Sequence, residues 1–261
     1  MKVFFFDVDG TLLDANQKIY EPSKKTKFAV AQLKKAGHKV ILASGRPRCI
    51  LSDELKSLDF DGYITSNGAE LRIDEELIYQ ITLDQNLVSG LLENEDKYHY
   101  EVVFESEQYL HGNHINDGEF NSLIDKYHLP REIVINDFNY DLYKAQILFK
   151  KHEFKPAYFE GVNQIIKDNS LLPYEKYYFD VYNKNINKGV GVKKVKAFFG
   201  LDEDSYYAFG DELNDYEMMK NVNNSICMGN GNDKIKKICK YTTKNVEEEG
   251  IYYFLKKNNI I

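Results

Sequence analysis

Cysteine is scarce in this chain and unpaired by pattern. Cys49, Cys227 and Cys239 are odd in number, and none stands in a Cys-x-x-Cys spacing. That argues against a disulfide framework and a structural zinc site, and the three read as reduced core thiols. Long apolar runs are missing too. The amino terminus carries only a short apolar stretch before Asp7, too short for a signal peptide or a membrane span, so the expected compartment is the cytoplasm and no membrane partner is expected. Positive charge is in deficit: 34 basic against 41 acidic residues leave a formal net charge of −7. A broad attraction to nucleic acid is therefore not expected, and an anionic ligand has to be met by local cations. The two glycine-rich phosphate fingerprints, Gly-x-Gly-x-x-Gly after a strand and Gly-x-x-x-x-Gly-Lys-Ser/Thr, are also absent, against a dinucleotide-binding fold and a P-loop enzyme.

What is present suits a globular protein. The 261 residues are 43% hydrophobic and 29% charged, enough for one large or two modest domains that bury roughly three quarters of the unfolded surface. Val3-Phe4-Phe5-Phe6 has no polar alternation and reads as a strand buried on both faces, as in the middle of a parallel sheet. Asp7 and Asp9 follow at its carboxyl end, where open α/β sheets bind ligands. Two acids so close repel unless a cation lies between them, and a hard divalent ion suits carboxylate oxygen.

The same rhythm recurs. A helix is expected from Glu21-Pro22-Ser23, with Pro22 in its first turn, to about Ala36, then a buried strand over Lys39 to Ala43 ending in Ser44-Gly45-Arg46. There a hydroxyl and a main-chain N–H can meet one oxyanion, although Ser44 can equally be a helix N-cap. Gly62 to Thr65 delivers Ser66-Asn67-Gly68-Ala69, a strong turn signal, and Leu71 to Tyr79 reads as a hairpin. From about residue 81 to 183 the rhythm breaks into an amphipathic helix and alternating strands, an inserted α+β domain. His111 and His114 fall there in HGNH, which reads as a solvated polar loop. The rhythm resumes at Asn187-Lys188-Gly189, with Asn187 as N-cap. Lys188 in a first turn opposes the helix dipole, which makes sense if it faces an anion. Tyr206 to Phe209 then leads into Gly210-Asp211-Glu212-Leu213-Asn214-Asp215, where Asn214 with Glu217 can form a capping box that leaves Asp211 unexplained.

Asp-x-Asp-Gly-Thr, Ser-Gly-Arg, Asn-Lys-Gly and Gly-Asp-x-x-Asn-Asp occur in that order. Together they resemble the haloacid dehalogenase-like hydrolases, and within them the Cof-type phosphatases; Ser66-Asn67-Gly68-Ala69 and the tail from Met228-Gly229-Asn230 through Gly250 extend the likeness over the whole chain. The resemblance implies a Rossmann-like doubly wound α/β core, residues 1–80 and 184–261, with a cap inserted at 81–183. It also implies a Mg²⁺-dependent phosphatase acting on small phosphorylated metabolites, with Asp7 as nucleophile and Asp9 as acid/base. Mg²⁺ would be held by Asp7, the Asp9 main-chain carbonyl and Asp211. Val8, Ser44, Gly45, Lys188 and Asn214 would bind phosphate, with Thr11 and Asp215 in support. The rival readings are a phosphomutase and a non-catalytic binder of phosphate esters. A mutase must grip a second phosphate in its cap, yet of four arginines only Arg131 lies there, with Lys144, Lys150 and Lys151 as point-charge substitutes.

Overall fold

Val3–Phe6 forms strand β1, and its side chains divide between two apolar clusters, Phe4 and Phe6 in one, Val3 and Phe5 in the other. An apolar run without alternation is what a strand covered on both faces requires. The protein is described here from a computed structural model covering residues 1–114, 120, 121, 124, 129–149, 164–168 and 177–261. Around β1 lie β2 (Lys39–Ala43), β3 (Gly62–Thr65), β4 (Glu70–Ile73), β5 (Glu76–Gln80), β12 (Tyr206–Gly210), β13 (Asn224–Cys227) and β14 (Tyr241–Thr242). Among the described residues the sheet order is β14-β13-β12-β1-β2-β3-β4-β5. From β14 to β3 every pairing is parallel, and β4 returns antiparallel to β3. The helix Lys24–Lys35 starts at Ser23, whose hydroxyl accepts from the Thr26 N–H, so Pro22 stands before the first turn rather than in it.

The second sheet joins β6 (Tyr100–Glu105), β7 (Leu110–His111), β8 (Val134–Ile135), β9 (Lys144–Phe149), β10 (Gln164–Asp168) and β11 (Tyr177–Asn183) in the order β10-β11-β9-β6-β7-β8. The helix Gln85–Glu93, capped by Asp84, packs Val88 and Leu91 with Val102, Phe104 and Ile147 of this sheet. The chain divides into two units: 1–46, 51–79 and 187–261 form one, 47–50 and 80–186 the other. Residues 47–50 thus group with the inserted unit, so Arg48, bonded to Glu107 at 3.4 Å, stands with Arg131 there against the expectation of one arginine, and Cys49 and Ile50 pack on the cluster of Val103, Leu110 and Leu148. Lys150 and Lys151 lie outside the described residues.

Two local expectations are corrected. His111 is not a solvated loop residue: it ends β7, is fully buried, donates from Nδ1 to the Asp137 carbonyl, and sets Nε2 2.8 Å from Ser106 Oγ. Burial, which favours the neutral ring, holds its pKa below the usual range against the opposing pull of Asp137. Asn214 caps nothing. The capping box around the turn Leu213–Asp215 is made by Glu212 and Asp215, because Asn214 sits inside that turn rather than ahead of it.

Candidate active site

Parallel register brings the carboxyl ends of β1, β2 and β12 level, and Asp7, Ser44 and Asp211 follow those ends directly. Asp7 is 4% exposed, its N–H bonded to the Phe209 carbonyl at 3.0 Å. Asn187 caps the helix Lys188–Phe199 by accepting from the Val190 N–H, which places Lys188 at the first helical position. The Lys188 ammonium is completely buried and donates to Asp7 Oδ1 and, at 2.6 Å, to Asp215 Oδ1. The other oxygen of Asp215 accepts from the N–H groups of Asp211 (2.9 Å) and Glu212 (3.2 Å). Thr11 Oγ1 donates to Asp211 Oδ1 at 3.1 Å. Gly10 has φ +84°, and a Cβ there would fall 2.0 Å from Asp211 Oδ2, so this approach needs glycine.

Asp7, Asp211 and Asp215 each present a carboxylate oxygen, all within 4.8 Å of one another. Three carboxylates against one ammonium leave a surplus of two negative charges when all are ionised. Burial first, then the charge of Asp215, push the Asp7 pKa up to about 7 against the opposing pull of Lys188. Asp211 is pushed up to about 9, again by burial and then by Asp7 and Asp215. Burial alone would lower the Lys188 pKa, but Asp215 and Asp7 outweigh it and hold the ammonium above its usual range. A buried oxygen-only cluster whose surplus charge equals that of a divalent cation fits a hard divalent ion on donor chemistry and on charge. Both Asp215 oxygens are engaged by Lys188 and the turn, which leaves Asp7 and Asp211 as the carboxylates for an ion.

Asp9 does not join the cluster through its side chain. Its carboxylate is 57% exposed and lies in the fork of Arg46, Nη2 at 2.6 Å and Nε at 2.9 Å. Val8 points its side chain into the core, so any contact it makes with phosphate is through the main chain. Ser44 is buried, its Oγ accepting from the Arg46 N–H at 3.1 Å. A Cβ at Gly45 would lie 3.0 Å from Asn67 Oδ1 and 3.7 Å from Asn214 Nδ2, so two amides flank this glycine. Arg46, Asn67 and Asn230, whose Nδ2 donates to the Gly10 carbonyl at 2.8 Å, stood in the sequence motifs but were given no role there. Arg46 was detectable as the residue after Ser-Gly; Asn67 was hidden by its service as a turn residue.

The model of the haloacid dehalogenase-like hydrolase family matches residues 4–255. YkrA of Bacillus subtilis, a phosphatase by name, is 30% identical over 100% of this chain and 98% of its own length. The 5-amino-6-(5-phospho-D-ribitylamino)uracil phosphatase YitU of Bacillus subtilis is 27% identical over 96% of this chain and 95% of its own. Among solved structures, the subclass IIB sugar phosphatase BT4131 superposes with a TM-score of 0.81 at 25% identity, over 100% of both chains.

Proposed function

The chain belongs to the haloacid dehalogenase-like hydrolases, among their Cof-type phosphatases, and on that premise we propose that it hydrolyses small phosphate monoesters through an aspartyl-phosphate on Asp7, with Mg²⁺ as cofactor. The observation that carries this reading is a buried carboxylate at the end of the central strand, hydrogen-bonded to a buried lysine that a second carboxylate holds in place. A structural strand end has no need of such a group. In the first step an Asp7 oxygen bonds to phosphorus as the bond to the leaving oxygen breaks, and Asp9 gives that oxygen its proton. In the second, Asp9 takes a proton from water, whose oxygen displaces the Asp7 carboxylate and releases inorganic phosphate. Asp7, Asp211 and the Asp9 carbonyl would hold Mg²⁺, which when bound offsets the surplus negative charge and lets an anionic carboxylate approach an anionic ester. Lys188, Ser44 Oγ, the Gly45 N–H and the Asn214 amide supply the donors that spread phosphoryl charge requires.

Hydrolysis is favoured over mutase chemistry by the fate of Lys144. It is buried between Glu105 (2.9 Å) and Asp180 (3.6 Å), already neutralised rather than available to clamp a second phosphate. The names of YitU and BT4131, a ribitylaminouracil phosphate phosphatase and a sugar phosphatase, make sugar and sugar-alcohol phosphates the first class to screen with Mg²⁺, ahead of nucleotides and cofactor phosphates. Acid quench during turnover of a ³²P-labelled monoester should trap label on Asp7. Turnover without covalent label would overturn the nucleophile, and positional isomer outrunning inorganic phosphate would replace hydrolase by mutase.

A further inference from the structure

Asn67 is the polar residue beside this site that its own turn does not explain. Ser66, Asn67 and Gly68 stand consecutively at φ +46°, +58° and +97°, a left-handed run that L side chains adopt reluctantly. Main-chain bonds stitch it in place: the Ser66 N–H to the Arg46 carbonyl at 3.0 Å, and the Asn67 N–H to the Ser44 carbonyl at 3.1 Å. Gly68 lies so close to Asn187 that a Cβ would meet its carbonyl oxygen at 2.3 Å. The turn is thus clamped between the Ser44-Gly45 loop and the start of the Lys188 helix. It delivers the Asn67 side chain to Gly45, next to Asn214. There Asn67 is 7% exposed, and its Oδ1 is buried with no hydrogen-bond partner. Buried polar atoms in native proteins are almost always satisfied, so an orphan amide oxygen here calls either for a donor or for the rotated amide, which puts Nδ2 in its place to meet an acceptor.

We propose that Asn67 contacts the phosphoryl group directly, its carboxamide turning an N–H toward a non-bridging oxygen of the bound ester beside Gly45 and Asn214. This rests on the phosphatase reading and adds a contact to its phosphate cradle. Rotating the amide by 180° exchanges oxygen and nitrogen without changing the shape of the side chain. Oδ1 has no bond to lose in that rotation, whereas an acceptor left facing an anionic phosphate is repelled. The position also calls for an amide rather than a carboxylate, since aspartate would tolerate the same left-handed backbone but carry the wrong charge.

The test compares Asn67→Gly, which removes the amide and accepts the backbone without strain, with Asn67→Asp, which keeps the shape and brings a charge. Inorganic phosphate is the probe, its affinity measured by calorimetry, alongside kcat/KM for p-nitrophenyl phosphate and an alkyl phosphate. Asn67→Gly should lose about tenfold in phosphate affinity, and Asn67→Asp about a hundredfold, the range of a hydrogen bond to a charged group. Both substrates should suffer alike, with melting temperatures held. Affinities within twofold of the parent, equal losses in the two variants, or a loss that depends on the leaving group would each overturn the contact. Failure of the phosphatase reading looks different: the parent protein would turn over no monoester while phosphate binding still reported on Asn67.

Discussion

Replacing Lys188 by methionine separates the site's electrostatics from its packing, because methionine nearly matches the length of lysine while removing the ammonium. The buried ammonium faces Asp7 and Asp215, and both lose their cation. Removing one partner of a buried pair costs about 3–5 kcal/mol through the uncompensated charge left behind. The cost must depend on pH. Asp7 has a folded pKa of about 7, above the unperturbed 3.8, so the folded state prefers the protonated acid. The stability linked to Asp7 is therefore complete below about pH 4 and declines as pH rises toward 7. In Lys188→Met the charge and hydrogen bond that oppose this rise are gone, and the decline extends above 7. Lys188 itself is held above its usual range, so the parent keeps its ammonium throughout pH 5–8. Urea denaturation of the Mg²⁺-free proteins should show a deficit of about 3–5 kcal/mol at pH 8 and less than about 2 kcal/mol at pH 5, where protonation of Asp7 relieves part of the loss. A deficit equal at both pH values, or below about 1 kcal/mol at pH 8, would refute the reasoning and make Lys188 a packing residue.

Asp7→Asn removes the nucleophile's charge and little volume, so turnover should fall at least about a thousandfold, roughly 4 kcal/mol in barrier, while the fold persists by circular dichroism. Activity above that level would count against covalent catalysis. Asp211→Ala should act through the metal: a Mg²⁺ titration should show a higher half-saturating concentration and partial recovery at high Mg²⁺, and a defect indifferent to Mg²⁺ would exclude ligation. Arg46→Ala frees the Asp9 carboxylate from its fork, so an alkyl phosphate should lose about ten- to a hundredfold in kcat while p-nitrophenyl phosphate, whose leaving group needs little proton help, loses far less. Equal losses across a series of leaving groups would assign Arg46 to phosphate binding or to the loop.

The elements of the core were legible because their signals are local. Apolar runs without alternation at Val3–Phe6, Lys39–Ala43 and Tyr206–Gly210 admit little but buried strands, and Asn187 or Gly200 marks a helix end by its own side-chain or backbone chemistry. Acids, a serine and glycines falling just after those strands pointed to the ligand edge. The capping of the Leu213–Asp215 turn and the burial of His111 were not legible. The first is a choice between two acids and an amide one residue apart, and the second depends on the Asp137 carbonyl and on Ser106.

By itself the sequence determined which residues are able to do chemistry, the order in which they arrive, and the class of fold that carries them, since periodicity, capping and turn preference act over a few residues. Tertiary structure decided which of them meet. Asp7 and Lys188 are 181 residues apart and Thr11 and Asp211 are 200 apart; parallel pairing of β1 with β12, Val3 opposite Tyr206, levels the strand ends that carry Asp7 and Asp211, and the helix capped by Asn187 brings Lys188 to them. The pairing of β1 with β2 and of β2 with β3 set Asp9, two residues from Asp7, against Arg46, and the Asn67 amide, buried without a partner, beside Gly45. No local pattern encodes those outcomes: a charge takes its partner, and a buried amide lacks one, only when strands distant in sequence fix which side chains share a place.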